Sequence, residues 1–290
     1  MNHPAEKGIK SAAVGMLANA LLALCKGAAG IFGNSYALVA DAIESTSDVL
    51  SSFVVLIGLK ISAIPKDENH PYGHGKAEPI AAVIVSLSLI GASIVIAIQS
   101  IHGIMTPHEL PAPFTLAVLA GVVFTKEFLF RKVLQVGEEV ESTAVKTDAW
   151  HHRSDAITSA AAFVGISIAL FMGKGWESAD DWAALFAAFI IAFNAYNLFR
   201  PAFSEIMDSA PSKEITEQIR AVAFSVEGVI ALHKCYVRKM GFDYFVDLHV
   251  LVDAEITVRE GHTIGHAVKD AIRKANSRIT DVLIHVEPAD

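Results

Sequence analysis

The stretch Asp148-Ala-Trp-His-His-Arg-Ser-Asp155 places ionisable side chains at the start of a long apolar segment. Asp148, His151 and Asp155 stand at positions i, i+3 and i+7, so a helix would carry all three on one face. A charged side chain at bilayer depth costs about 2.5 to 3.5 kcal/mol on insertion scales, and such residues normally face a partner or a water-filled path. The stretch therefore predicts a membrane helix with an ion-binding face.

An earlier apolar segment carries the same pattern. In Asp41-Ala-Ile-Glu-Ser-Thr-Ser-Asp48, the side chains of Asp41, Glu44 and Asp48 share one helical stripe. Two membrane helices with matching acidic faces can hold a cation between them. We therefore expect an ion site where the two helices meet.

The composition limits the class of protein. The chain has 290 residues, of which 53% are hydrophobic and 19% charged, which is too apolar for an ordinary soluble domain. The net charge of -8 and the lack of a dense Lys/Arg run argue against nucleic acid as a partner. Cys25 and Cys235 offer no disulfide framework and are interpreted as packing residues. The composition indicates a polytopic membrane protein with a soluble part.

Six apolar segments are long enough to cross a bilayer, for which about 20 residues suffice. They cover residues 9–31, a segment ending near residue 61, and residues 79–101, 114–134, 144–172 and 182–199. The first residues lack the basic start of a signal peptide, and no small-residue cleavage site follows the first segment, so we expect that segment to be retained. Six spans return the chain to the side on which it began.

The distribution of basic residues predicts the orientation. Basic residues are concentrated at the N-terminus and in the loops after the second and fourth spans, which carry Lys7, Lys10, Lys60, Lys66, Lys76, Arg131, Lys132 and Lys146. The loops on the opposite side of the membrane have one basic residue, Lys174, after the fifth span. Both termini are therefore predicted to be cytoplasmic. Lys26, towards the outer end of the first span, either reaches the membrane interface or belongs to the ion path.

The composition changes to that of a soluble domain near Pro211. The pattern predicts a helix over residues 212–224 with Ser212 as N-cap, strands over 229–239 and 242–252, a helix over 257–275 and a strand over 281–286. This αββαβ order is typical of a small ferredoxin-like α+β layer. The predicted fold is thus an all-α transmembrane six-helix bundle over residues 1–208 and a C-terminal cytoplasmic α+β domain over 209–290, small enough to benefit from oligomerisation.

Three motifs in this order resemble the cation diffusion facilitator family of divalent-metal transporters, over nearly the whole chain. They are Ala40-Asp-Ala through Asp48, then His70-Pro-Tyr-Gly-His-Gly-Lys-Ala-Glu78, and finally Asp148 through Asp155. The resemblance, which extends to the bacterial zinc and ferrous-iron efflux members, implies a homodimer in the cell (inner) membrane. Such a protein would export metal from the cytoplasm in exchange for protons.

The resemblance also implies a transport site formed by Glu44, Asp48, His151 and Asp155. Three carboxylates and one imidazole suit a tetrahedral Zn²⁺ and also accept Fe²⁺, Mn²⁺ or Co²⁺. Family members more commonly have His or Asp at the position of Glu44, so the preferred metal stays open. Asp41, and likewise Asp148, is interpreted as supporting the ligands or lining the path, with direct ligation as the alternative. His152 lies off the shared face, which favours a packing or interface role.

By the same resemblance, the cytoplasmic loop offers a second metal site in Asp67, His70 and His74. The alternative is an ordinary solvated turn. Lys76 resembles a residue that forms a charge interlock with an acid after the sixth span, for which Asp208 is the candidate. Such a pair contributes little to stability unless it is shielded at a dimer interface.

In the tail, the resemblance implies a cytoplasmic metal site whose ligands are His233, His249, His262, His285 and Glu287. Ordinary surface histidines are the alternative, and both His266 and Cys235 could support the site. Metal there would draw the two tails of a dimer together and signal the cytoplasmic metal level to the membrane part.

These features favour a secondary transporter that works by alternating access. Carboxylates and imidazole bind either metal or protons, because ligation requires the deprotonated form. A metal-dependent membrane enzyme is the first alternative, but the sequence has no His-Glu-x-x-His motif, nucleophile elbow or phosphate-binding Gly-rich loop. The second alternative is a membrane-anchored metal sensor or metal-binding assembly protein.

Overall fold

The computed structural model describes residues 4–32, 36–106, 114–172, 176 and 178–289, which form eight helices and three strands. In chain order these are α1 (Pro4–Phe32), α2 (Tyr36–Ser62), α3 (Ala77–Met105), α4 (Thr115–Glu139), α5 (Thr143–Met172), α6 (Ala179–Ile206), α7 (Lys213–Phe224), β1 (Ala231–Met240), β2 (Asp243–Val252), α8 (Val258–Ala275) and β3 (Ile279–Pro288).

The chain forms two compact units, residues 1–203 and 204–290. The predicted boundary after Asp208 lies beyond the end of α6. The first unit is entirely helical in its described part, and four of its helices contain segments long and apolar enough to cross a membrane, namely Glu6–Cys25, Ala77–Met105, Thr143–Met172 and Asp181–Ile206. Large apolar side chains such as Phe171 and Phe189 face outwards on these helices. The predicted transmembrane helical bundle is confirmed.

Close packing holds α2 between its neighbours. Helix α1 packs along α2, α4 along α5, and α3 contacts both α2 and α5. Ser52, Val55 and Leu59 are fully buried at i, i+3 and i+7, so one stripe of α2 faces the interior. A β-carbon at Gly58 would lie 2.5 Å from Cβ of Ala81, which shows how closely α2 and α3 approach. The acidic motif of α2 is therefore carried on a helix with a fixed rotation.

The start of α5 is held by an acid on another helix. Glu78 on α3 is fully buried, and its Oε1 accepts hydrogen bonds from Ser142 Oγ at 2.6 Å and from the backbone N–H of Ala144 at 2.9 Å. The Ser142 hydroxyl in turn accepts from the N–H of Val145 at 3.1 Å. Unpaired N–H groups at a helix start need acceptors, and a carboxylate also suits the positive end of the helix dipole. Glu78 thereby fixes α5 a few residues before the His151 motif.

Helices α4 and α6 extend further at their C-terminal ends than the sequence pattern predicts. Helix α4 continues past residue 134 to Glu139, where the chain becomes polar. Helix α6 passes through Pro201 and ends at Ile206, just before Asp208 adopts a positive φ of 56°. Apolar content marks where a helix lies in lipid, but it does not mark where the helix ends.

The second unit contains a three-stranded sheet with strand order β1-β2-β3. Strands β1 and β2 are antiparallel, whereas β2 and β3 are parallel and are joined through α8. Val246, Leu248 and Val250 of β2 point into a core that also contains Val268 and Ile272 of α8. Thr257 and Glu260 form a capping box at the start of α8. The predicted αββαβ order is confirmed.

Candidate metal sites

The acidic faces of α2 and α5 meet inside the helical unit. His151 Nε2 lies 3.1 Å from Asp48 Oδ1 and 4.0 Å from Asp155 Oδ2. One ligand atom from each of these three residues lies within 4.8 Å of the others. Tetrahedral metal with ligands at about 2.0–2.2 Å requires separations of about 3.3–3.6 Å between ligand atoms. Small side-chain adjustments would therefore let the three residues share one ion.

For the other predicted members of this site, the structure describes only some of the side chains. Asp41 and Glu44 lie on α2, but their side chains are outside the described part of the structure, as is that of Lys26. Asp148 is fully buried one turn before His151, and its Oδ1 accepts a hydrogen bond from Ser52 Oγ at 3.1 Å. It thus lies next to the site and contacts the buried stripe of α2.

His152 faces a different helix from His151. It is fully buried, its Nε2 lies 4.0 Å from Asp148 Oδ2, and a β-carbon at Gly15 of α1 would lie 3.0 Å from the same ring nitrogen. His152 therefore packs between α5 and α1. This position fits the predicted packing role. The imidazole approaches α1 so closely that a residue larger than glycine at position 15 would crowd it.

The sequence interpretation missed Lys126 of α4. Its side chain is 1% exposed, and Nζ donates to Asp155 Oδ2 at 2.6 Å and to Asp48 Oδ2 at 3.0 Å. Asn19 of α1, also fully buried, accepts from the same ammonium at 2.9 Å. A lysine inside an apolar span is itself the signal, because charged residues at bilayer depth are rarely without a function. The acids of α2 and α5 were predicted from such buried charge, whereas Lys126 was not.

The loop between α2 and α3 brings its three predicted residues together. Asp67 Oδ1 accepts from the backbone N–H of His70 at 2.7 Å, and Asp67 Oδ2 lies 3.4 Å from His74 Nε2. The backbone hydrogen bond from His70 is the main reason why the pKa of the Asp67 carboxyl is lowered. The ring centroids of His70 and His74 are 4.3 Å apart. The carboxylate and both imidazoles are thus held where one cation could bind.

Four of the five predicted tail residues meet on the face of the sheet opposite the core. The parallel register pairs His249 with His285 and places Glu287 two residues further along β3. Glu287 contacts His249 Nδ1 at 2.6 Å, His233 Nδ1 at 2.9 Å and His285 Nε2 at 3.6 Å. The hydrogen bond from His249 is the first cause of a lowered pKa at Glu287. The group offers three imidazoles and one carboxylate.

The remaining predicted residues lie elsewhere. His262 is on α8, pairs edge-to-face with His266 at 4.5 Å between ring centroids, and lines a groove of about 350 Å³ that Glu287 also lines. Burial raises the pKa of the half-buried Cys235 thiol, which disfavours the thiolate that binds metal. Lys76 and Asp208 belong to different units, and their interlock stays a prediction.

Comparison with known families covers almost the whole chain. The family model for the cation efflux transmembrane domain matches residues 12–207, and that for the cytoplasmic domain of cation efflux proteins matches residues 211–289.

Curated relatives are also found. The chain is 32% identical to the manganese efflux system protein MneP of Bacillus subtilis over 283 residues, which is 96% of this chain and 95% of the relative. It is 32% identical to the magnetosome protein MamB of Magnetospirillum gryphiswaldense over 273 residues, 94% of this chain and 91% of the relative. Metal tolerance protein C1 of Arabidopsis thaliana is 31% identical over 305 residues, 99% of this chain and 64% of the relative.

Proposed function

Since this chain belongs to the cation efflux, or cation diffusion facilitator, family of divalent-metal transporters, we propose that it exports a divalent cation from the cytoplasm in exchange for protons. Members of this family are transporters and not enzymes, and the chain is a multi-pass membrane protein. The orientation with both termini in the cytoplasm rests on the basic residues of the loops.

The convergence of Asp48, His151 and Asp155 is the observation that supports this proposal. The three side chains come from two long helices, and Asp48 and His151 are each 7% exposed. Asp155 keeps 23% of its side chain exposed, so the cluster is not sealed on every side. A buried group of acids and one imidazole with an open edge is what a transported cation needs: ligands that replace its water, and a way in and out. Glu44 is the fourth proposed ligand.

Coupling to protons follows from the chemistry of the ligands. Carboxylate and imidazole bind a metal only when they are deprotonated, so metal and protons compete for the same atoms. Binding of the metal therefore releases protons, and protonation of the ligands releases the metal. A site that loads metal on the cytoplasmic side and protons on the other side would exchange one for the other through alternating access. The lipid bilayer separates the two sides.

We propose a class of transported metals, whose members are to be tested one at a time. Zn²⁺ suits a tetrahedral site of this kind, with Fe²⁺, Co²⁺ and Cd²⁺ as further candidates. Carboxylate-rich sites also suit harder cations, and one relative is named for manganese efflux, so Mn²⁺ stands beside Zn²⁺ in the proposal.

The cytoplasmic groups are proposed to be regulatory. A metal held by His249, His285 and Glu287 would replace the hydrogen bonds that now fix Glu287 and would tie β2 to β3. We place a homodimer contact in this unit, in line with its match to the cytoplasmic domain of cation efflux proteins. The loop residues Asp67, His70 and His74 form a further proposed binding site.

The test is metal-driven proton movement in proteoliposomes that contain a proton-sensitive dye. Zn²⁺, Mn²⁺, Fe²⁺, Co²⁺ and Cd²⁺ are added one at a time to wild type and to Asp48→Ala and Asp155→Ala. We expect a metal-dependent pH change in wild type and none in either variant. Glu127→Ala is the matched control, because this acid of α4 pairs with exposed Arg131 instead of the cluster. Equal signals from all four proteins would reject the site.

The same assay separates transport from metal sensing. The tail cluster of His249, His285 and Glu287 is the observation that favours a sensor. A membrane-anchored sensor would bind metal through its tail but would move no protons in wild type. A variant in which His249 and His285 are both alanine should keep its flux at saturating metal if the tail only regulates.

A further inference from the structure

A lysine ammonium lies where the transported cation would bind. Lys126 Nζ contacts Oδ2 of both Asp48 and Asp155, and Asp155 Oδ2 is also the oxygen that faces His151. The lysine comes from α4, a helix that contributes none of the proposed metal ligands. A protein cation thus bridges the acids of α2 and α5.

The ammonium and a divalent metal cannot share these oxygens. A metal within about 2.0–2.2 Å of the Asp155 carboxylate would stand close to an ammonium only 2.6 Å from that oxygen. The repulsion between two cations is strong at such a distance in a site shielded from water. One of the two cations must therefore move. The ammonium can do so, because it stands at the end of a flexible side chain.

The ammonium also has a third partner, which is not a carboxylate. Asn19 Oδ1 on α1 already accepts from Nζ at 2.9 Å and is an uncharged acceptor. Lys126 can therefore release the two carboxylates and keep one hydrogen bond inside the helical unit. Without any cation, Asp48 and Asp155 would be two neighbouring acids with little access to water, an arrangement that is costly.

We propose that Lys126 is a tethered counter-cation that occupies the transport site when metal is absent and is displaced by the metal when it binds. The inference rests on the proposed function and adds a residue that sets metal affinity without being a ligand. It reduces the net negative charge of the metal-free site, and it makes each binding event a replacement of one cation by another. A monovalent ion gains little from such a replacement, so the lysine also favours divalent cargo.

Neutral substitution of the lysine tests the proposal by equilibrium binding. Titration calorimetry with Zn²⁺ and with Mn²⁺ is carried out on the full chain in detergent for wild type, Lys126→Gln, Lys126→Met and Lys126→Arg. Binding that Asp155→Asn removes from wild type defines the transport site and separates it from the loop and tail groups. Lys132→Gln is the matched control, an exposed lysine on the same helix.

We expect both neutral variants to bind metal at least about tenfold more tightly than wild type at that site, because a competing charge is removed. Lys126→Arg and Lys132→Gln should stay near the wild-type affinity. Unchanged or weaker binding in the neutral variants would overturn the proposal. If wild type shows no binding that Asp155→Asn removes, the transport site itself is rejected together with the inference.

Folding of the variants is itself informative. Neutral variants that fold only when Zn²⁺ or Mn²⁺ is present, and unfold when it is chelated, support the proposal because the metal then replaces the missing ammonium. Neutral variants that fold neither with nor without metal would show that Lys126 is a structural partner of the two acids, and the proposal would fail.

Discussion

Replacing Glu78 should loosen the start of α5 and, with it, the proposed metal ligands of that helix. Its carboxylate accepts two hydrogen bonds, from Ser142 Oγ at 2.6 Å and from the N–H of Ala144 at 2.9 Å, in a fully buried position. A hydrogen bond to a charged group contributes about 1.5–3 kcal/mol, so Glu78→Ala should cost about 3 kcal/mol or more. This free energy corresponds to roughly a hundredfold more frequent opening of the first turn of α5.

Hydrogen exchange followed by mass spectrometry measures this opening directly. Backbone amides of residues 143–148 should exchange roughly a hundredfold faster in Glu78→Ala than in wild type, whereas Glu78→Gln, which keeps an acceptor, should show a smaller increase. Glu138→Ala, at an exposed acid of α4, is the control and should change nothing. Equal protection of these amides in wild type and Glu78→Ala would show that this acid does not hold the start of α5.

Three further predictions address packing, charge and capping. Gly15→Val should destabilise the protein by about 1–3 kcal/mol, because even a β-carbon at this position would lie 3.0 Å from His152 Nε2; thermal unfolding in detergent measures the loss. The pKa of Glu287 is lowered below its ordinary value of 4.5, first by the hydrogen bond from His249, so its contribution to stability is present above pH 4.5 and is lost as the pH falls through the lowered value. The difference in unfolding temperature between wild type and Glu287→Gln should therefore be present at neutral pH and disappear in strong acid; a constant difference would contradict this sign. Thr257→Ala removes the capping box of α8 and should cost about 0.5–2 kcal/mol in denaturant unfolding of the full chain, and an unchanged midpoint would contradict it.

The sequence was sufficient to predict the helix and strand order, because apolar length indicates a membrane helix and alternation indicates a half-buried strand. The second tail strand was predicted from alternation in residues such as His249, and its parallel register with β3 then brings His249, His285 and Glu287 to one face. Helix ends were harder to predict. Pro201 removes one N–H donor and its ring crowds the carbonyl four residues earlier, yet α6 continues past it to Ile206.

The candidate transport site was predictable only in part. Helical spacing places His151 and Asp155 on one face, but spacing within one helix carries no information about a third helix. Lys126 of α4 and Asn19 of α1 reach the acids through packing between helices, at sequence separations of 29 residues from Asp155 to Lys126 and 107 from Lys126 to Asn19. Contacts over such distances require the packed structure, although the buried charge of Lys126 was visible in the sequence.

One divalent cation is proposed to bind between α2 and α5 inside the membrane unit. The most direct measurement is to locate bound Mn²⁺ in the full chain by anomalous X-ray scattering. Binding between α2 and α5 predicts a peak within about 2.0–2.3 Å of atoms of Asp48, His151 and Asp155, with Lys126 Nζ withdrawn from both carboxylates. Mn²⁺ found only at the loop and tail groups, with Lys126 still bridging Asp48 and Asp155, would contradict it.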